Sequence, residues 1–188
     1  MIPESALNNF AKQILKQYPK INCGGCAVFA AHMGRHLQRY YPVRIITYGN
    51  QTHNTVNSVR KRVKVNTCPE WGAHGLDLNH LAIEFTDHNG KVWEYDTMGL
   101  YPVDSVMTRF PKHCGYLTVE EAMEMASIPD GWNDDFDRSH IPELKQQIRK
   151  FFFPYPQPKT PIKESVLVKG KRNIKTTIKK VKTLFMKK

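Results

Sequence analysis

Residues 78–96 constrain this chain more than any other stretch. They read Leu78-Asn79-His80-Leu81-Ala82-Ile83-Glu84-Phe85-Thr86, then Asp87-His88-Asn89-Gly90, then Lys91-Val92-Trp93-Glu94-Tyr95-Asp96. Apolar side chains alternate on both sides of an Asp/Asn/Gly cluster, which is the signal of a β-hairpin. A three-residue loop, His88-Asn89-Gly90 with Gly90 in the left-handed position, predicts the pairs Asp87 with Lys91, Phe85 with Trp93, Ile83 with Tyr95 and Ala82 with Asp96. Leu81, Ile83, Phe85, Trp93 and Tyr95 then share one apolar face, while His80 and Asp96 are diagonal neighbours on the other. A two-residue loop shifts the pairing by one and puts His80 and Asp96 on opposite faces. The apolar pattern selects the first register, which also sets a carboxylate where it can orient an imidazole.

An imidazole so held suits a nucleophile, and Asn22-Cys23-Gly24-Gly25-Cys26-Ala27-Val28-Phe29-Ala30 supplies one. Residues 27–37 read as a helix, with Phe29, Met33 and Leu37 recurring every four residues along its apolar side. Two small residues end an extended approach, so Cys26 is expected in the first helical turn. A thiol there feels the positive end of the macrodipole and free backbone N–H groups, which favour the thiolate and offer donors to a developing oxyanion.

The Cys26 segment resembles the nucleophile motif of papain-like cysteine proteases, Cys-Gly-Ser-Cys-Trp-Ala-Phe-Ser, and Asn79-His80 before an apolar strand resembles their histidine strand. The His80 to Asp96 hairpin with Trp93 is closer still to the transglutaminase-like branch, where a His opens one strand and an Asp closes the next. The resemblance covers roughly residues 20–100 and rests on short motifs. It implies an α+β fold, a papain-like/transglutaminase-like core with the nucleophile helix packed on an antiparallel sheet. It also implies that Cys26 is the nucleophile, His80 the general base and then acid, and Asp96 the orienting residue. Papain-like enzymes carry an oxyanion-hole Gln six residues before the nucleophile; here that position is Lys20. Asn22 is the substitute on offer, and Gly25 and Trp71 complete the expected oxyanion and substrate-binding set. Papain-like proteases also pair the first Cys of the motif with a later one, which would make Cys68 the partner of Cys23; a reducing compartment opposes it.

The cysteines allow one other reading. Cys23-x2-Cys26 is half of a zinc ligand set, but Cys68 and Cys114 lie far apart and no second close pair exists, so no metal and no cofactor is expected. The other histidines compete poorly with His80. His32 and His36 lie too far along the nucleophile helix to reach Cys26, and His53, His74, His88, His113 and His140 fall in loops or at element ends.

Charge divides the chain. Of 188 residues with a net charge of +11, residues 159–188 hold 11 Lys/Arg and one acid, Glu164, whereas the other 158 hold 17 Lys/Arg and 16 Asp/Glu. The basic object is therefore a C-terminal tail, and three segments are expected: a cysteine hydrolase domain (1–153), a Pro-rich linker (154–158) and the tail. Ile174, Ile178, Val181, Leu184 and Phe185 recur in the tail at helical spacing among lysines. Lys169, Lys171, Arg172, Lys175, Lys179, Lys180 and Lys182 are its candidate contacts to an anionic partner, nucleic acid or a membrane surface, or the tail is a disordered solubilising segment. No apolar run approaches the ~20 residues needed to span a bilayer. The N-terminus lacks the charged-then-apolar order of a signal peptide. A cytoplasmic protein, virion- or nucleic-acid-associated if the tail has such a partner, is the expectation.

The remaining elements follow from local signals. Residues 3–18 form a helix with Ser5 placed to cap it and Pro19 to stop it. Residues 43–48 form a strand. Residues 56–65 fit helix or strand, and residues 71–75 a Gly-rich loop. Residues 98–102 read as a turn and 103–110 as a strand. Thr118 with Glu121 makes a capping box for a helix that follows. Pro142 sits in the first turn of a helix over 141–153 whose aromatic end must bury. The functions expected are a thiol hydrolase or acyltransferase acting on a peptide, isopeptide or side-chain amide of a protein substrate, or else a non-enzymatic nucleic-acid- or membrane-associating protein working through its tail.

Overall fold

The computed structural model describes residues 1–49, 78–103, 113–127 and 136–158. These form an α+β fold with one five-stranded antiparallel sheet and four helices. The strands are β1 (Val43–Gly49), β2 (Leu78–Thr86), β3 (Val92–Asp96), β4 (Gly99–Pro102) and β5 (His113–Leu117), in the order β4-β3-β2-β1-β5. The helices are α1 (Glu4–Gln17), α2 (Cys26–Leu37), α3 (Val119–Ser127) and α4 (Ile141–Phe152).

The hairpin adopts the expected register. Phe85 faces Trp93 and Ile83 faces Tyr95. The backbone N–H of Asp87 donates to the Lys91 carbonyl at 2.9 Å, and Gly90 takes φ +80°. The Asp87 carboxylate holds the loop by accepting from Asn89 N–H, Lys91 N–H and Trp93 Nε1–H at 2.9 to 3.0 Å. The β2–β3 ladder stops at Ile83 and Tyr95, so the expected Ala82 and Asp96 pair is not part of it, and β2 runs on past β3 through His80, paired there with β1, where Tyr48 stands opposite His80.

Leu81, Ile83, Phe85, Trp93 and Tyr95 join Phe29, Met33 and Leu37 of α2 in one core. The helix packs on β1 and β2, with α3 and α4 against its other sides, and α1 leans on β4. Met33 and Leu37 have no exposed surface; truncating either to Ala costs roughly 2–5 kcal/mol. The opposite sheet face holds Ile46, Tyr48 and Ala82 with two buried carboxylates. Glu84 accepts from Arg44, whose guanidinium lies over the Tyr116 ring, and Glu94 accepts from the Tyr48 hydroxyl at 2.8 Å.

Several local expectations change. The chain enters α2 through a turn of π-helix (Ile21–Gly25), not through an extended segment. Pro3 is the N-cap of α1, its carbonyl accepting from Ala6 and Leu7, so Ser5 lies inside the first turn and caps nothing. Residues 99–102, read as a turn, are strand β4; the turn is tighter, because Asp96 Oδ1 accepts the Met98 N–H at 2.7 Å and Asn8 of α1 accepts the Leu100 N–H at 2.8 Å. Strand β5 carries no alternation that marked it in advance. The capping box of α3 is present in both directions, Thr118 N–H to Glu121 at 2.8 Å and Glu121 N–H to Thr118 at 3.1 Å. At the end of α4 Phe152 is buried and Phe151 stacks on Phe10, but Phe153 is 91% exposed. The readings placed on residues 56–65, 71–75 and 104–110 and on the tail lie outside the described residues.

Candidate functional site

The three elements named from sequence converge. Cys26 opens α2, His80 lies on the stretch of β2 that has outrun β3, and Asp96 closes β3. All three are buried, at 4%, 1% and 2% exposure. His80 Nε2 lies 2.9 Å from Asp96 Oδ2, and Cys26 stands beside the imidazole, close enough for each group to shift the other's ionisation. With Nε2 committed to the carboxylate, Nδ1 is the ring nitrogen left to serve the thiol.

Asp96 is itself held. Its other oxygen, Oδ1, accepts the Met98 N–H at the start of the β3–β4 turn. The carboxylate cannot rotate without breaking that bond, so the acceptor presented to His80 is fixed by the turn.

The electrostatics match the geometry. Burial disfavours the imidazolium, yet the bonds to Asp96 and Cys26 outweigh it and hold the His80 pKa up at about 9. Burial likewise pushes the Cys26 thiol up, but the His80 ring and the backbone N–H groups of Leu81 and Ala27 bring it net below its ordinary value. A raised imidazole beside a lowered thiol is the condition for a thiolate–imidazolium pair. Part of the expected cause was wrong: Cys26 does not begin a helix with a free first turn, since the π-helical turn precedes it. The backbone donors to sulfur come from Ala27 and, across the gap, from Leu81 of β2.

Asn22 belongs to this cluster. It lies one helical turn before Cys26, so both side chains lie on one side of the continuous π- to α-helical segment. Its Oδ1 accepts the Thr97 hydroxyl at 2.5 Å, and Thr97 is 1% exposed. With the oxygen occupied, the Asn22 amide presents Nδ2–H groups. Thr97 was not singled out from the sequence. Its one signal is adjacency to Asp96, which makes the β3–β4 turn serve the imidazole with one residue and the Cys26 segment with the next.

At Gly25 a Cβ would come within 2.8 Å of Phe136 and 2.9 Å of Ile21, so that side of the backbone is filled by packing. Phe136, also missed, is 5% exposed with its ring edge-on to Tyr18 at 6.2 Å. It comes from an acidic, turn-rich stretch that gives no periodic signal. Trp71 and Cys68 lie outside the described residues, as do Lys169, Lys171, Arg172, Lys175, Lys179, Lys180 and Lys182; Cys114 falls in β5. Among the described residues, no group of three or more His, Cys, Asp or Glu side chains is arranged to hold a metal, and no helix is long and apolar enough to cross a membrane.

No protein-family model matches the chain, and neither a curated protein nor a solved structure matches it.

Proposed function

We propose that this chain is a thiol hydrolase or acyltransferase in which Cys26, His80 and Asp96 act as a catalytic triad on an amide or ester carbonyl. The observation that carries the reading is the buried 2.9 Å contact between His80 and Asp96 beside Cys26, together with the opposed displacements of the His80 and Cys26 pKa values. A shape-only core has no need to bury an ionisable imidazole on a carboxylate against a thiol, an arrangement whose desolvation is costly unless the charges are used. A nucleophile at a helix start, against a sheet that brings His and Asp from neighbouring strands, also supports the papain-like/transglutaminase-like reading of the core.

In this mechanism the Cys26 thiolate attacks the carbonyl carbon, and the carbonyl oxygen takes up the negative charge. The His80 imidazolium gives its proton to the leaving amine or alkoxide as the carbon–heteroatom bond breaks, leaving a thioester on Cys26 and a neutral imidazole. His80 then takes a proton from water or an acceptor amine as it attacks the thioester, and returns it to sulfur. Asp96 keeps the imidazole in the tautomer that can do both. Asn22 Nδ2 is the side-chain donor placed to meet the oxyanion.

The test is acylation by p-nitrophenyl acetate. Wild type should release a burst of p-nitrophenolate equal to the enzyme concentration and carry an acetyl mass on the Cys26 peptide; Cys26→Ala and His80→Ala should lack both. A wild-type protein that shows no burst above Cys26→Ala ends the proposal.

A further inference from the structure

Two helices meet on the outside of the domain with four cations and, among the described residues, no carboxylate between them. On α2, His32, Arg35, His36 and Arg39 recur at three- and four-residue spacing and so share a face, the last lying just past the helix end. On α4, Lys145 and Arg149 do the same, and Phe153, still helical in backbone angle, continues their stripe one turn on. The two faces adjoin, since Lys145 and Arg35 both act on His32, while Arg39, Arg35 and Arg149 act on His36. Arg35, Arg39, Lys145 and Arg149 are exposed, and none makes an ion pair with a described residue. No acid occurs in α2. The single acid of α4, Glu143, points the other way and bonds to Gln17 of α1.

Cations gathered without counter-charge repel one another, and an anionic surface relieves that repulsion. Two further observations say which kind. Phe153, at 91% exposure, is a large aromatic on the same stripe as Lys145 and Arg149. The segment that follows α4 is held at this same face: the hydroxyl of Tyr40, next to Arg39, donates to the Tyr155 carbonyl at 2.8 Å, and Tyr40 stacks on Phe152. The tail sequence itself interleaves Ile174, Ile178, Val181, Leu184 and Phe185 with lysines. Cations serve a phosphodiester backbone and a lipid headgroup equally, and a lone phenyl can stack on a base, but a spaced, largely aliphatic series has no stacking partner in a nucleic acid and fits the acyl region beneath headgroups.

We propose that the α2–α4 face docks the domain on an anionic lipid bilayer, with Phe153 entering the headgroup layer. The proposal is independent of the thiol chemistry.

Flotation of the full chain with phosphatidylcholine vesicles, with and without phosphatidylserine, tests it. Wild type should float only with phosphatidylserine present, and less as salt is raised. Each cation near such a surface is worth roughly fivefold in partition, so R35E/R149E should lower it by at least roughly 25-fold. K12E/K16E, the same charge change on exposed positions of α1, should lower it far less. F153S should weaken binding several-fold, including at high salt. R35Q/R149Q serves if the reversed variant melts below wild type. Equal losses in the R35E/R149E and K12E/K16E variants would overturn the proposal in favour of tail-only binding. It is equally overturned if vesicles are ignored while a labelled single-stranded oligonucleotide binds and is released by R35E/R149E.

Discussion

Replacing Asp96 by Asn should disable the thiolate while leaving the fold nearly intact, and the structure says which way the new side chain must sit. Asp96 Oδ1 accepts the Met98 N–H at 2.7 Å and Oδ2 faces His80 Nε2 at 2.9 Å. An Asn placing its NH2 against Met98 N–H would oppose two donors, so the amide oxygen stays with Met98 and the NH2 faces His80. Nε2 must then accept, the imidazole proton moves to Nδ1, and the ring can no longer take a proton from Cys26 through that nitrogen. Asp96 is the largest of the influences that raise the His80 pKa from 6.5 to about 9 against burial. That displacement corresponds to about 3 kcal/mol at 1.36 kcal/mol per unit; Cys26 contributes to it as well as Asp96, and losing the carboxylate should cost on the order of 2 kcal/mol, or roughly 30-fold in ion-pair population. The assay is the rate of Cys26 alkylation by iodoacetamide at about pH 6, read by mass spectrometry and divided by the rate at about pH 10. At the higher pH thiolate exists without help from the imidazole, so the ratio cancels differences in access to a nearly buried sulfur. Wild type should show a high ratio and Asp96→Asn one roughly 30-fold lower. Equal ratios would refute the coupling of Asp96 to sulfur and the ion pair with it.

Three other measurements follow from the geometry. Thr97→Val and Asn22→Ala should each slow acylation of Cys26 by p-nitrophenyl acetate, the latter about 100-fold, while leaving its alkylation rate unchanged because alkylation forms no oxyanion; parallel losses in both rates would remove Asn22 from that role. Gly25→Ala should lower stability by about 1–3 kcal/mol, a fall in Tm of several degrees, and pairing it with Phe136→Leu should recover part of the loss; a Tm equal to wild type would mean the loop yields freely. Burial, with help from neighbouring cations, lowers the pKa values of His32 and His36 to about 4, so the folded state holds fewer protons than the unfolded one between about pH 4 and 6.5. Stability from this source is complete above 6.5 and lost as pH falls toward 4; His36→Phe, which can keep the stacking on Phe152, should flatten the urea midpoint across that range.

The hairpin was legible because its information is local: alternation sets the faces, and the Asp-x-x-Gly loop sets the register. Cys26 and His80 could be named for the same reason, each standing at a boundary between an apolar-periodic segment and a turn. What escaped was whatever depends on two distant segments meeting. The π-helical turn at Ile21–Gly25 is shaped by Phe136 packing on it from more than a hundred residues away, and no local rule anticipates that. Thr97 has meaning only once the β3–β4 turn is seen against Asn22. Strand β4 was hidden because Gly99 and Pro102 are turn residues by habit; pairing with β3 and the contact from Asn8 override that habit. The exposure of Phe153 breaks the rule that aromatic ends bury, and no local signal marks it.

The edge of the sheet has a consequence for how copies of this chain meet. Among the described residues strand β4 is an outer strand, four residues long, ending in a proline that cannot donate to a further ladder. Asn8 takes the N–H of Leu100, which occupies one of the few hydrogen-bonding positions the strand has. A neighbouring chain seeking to extend the sheet from this side finds a short run, one donor already engaged and another missing. The contact with α1 that shapes the turn beside Asp96 therefore also protects against strand-to-strand aggregation, and the two properties should be lost together when α1 is loosened.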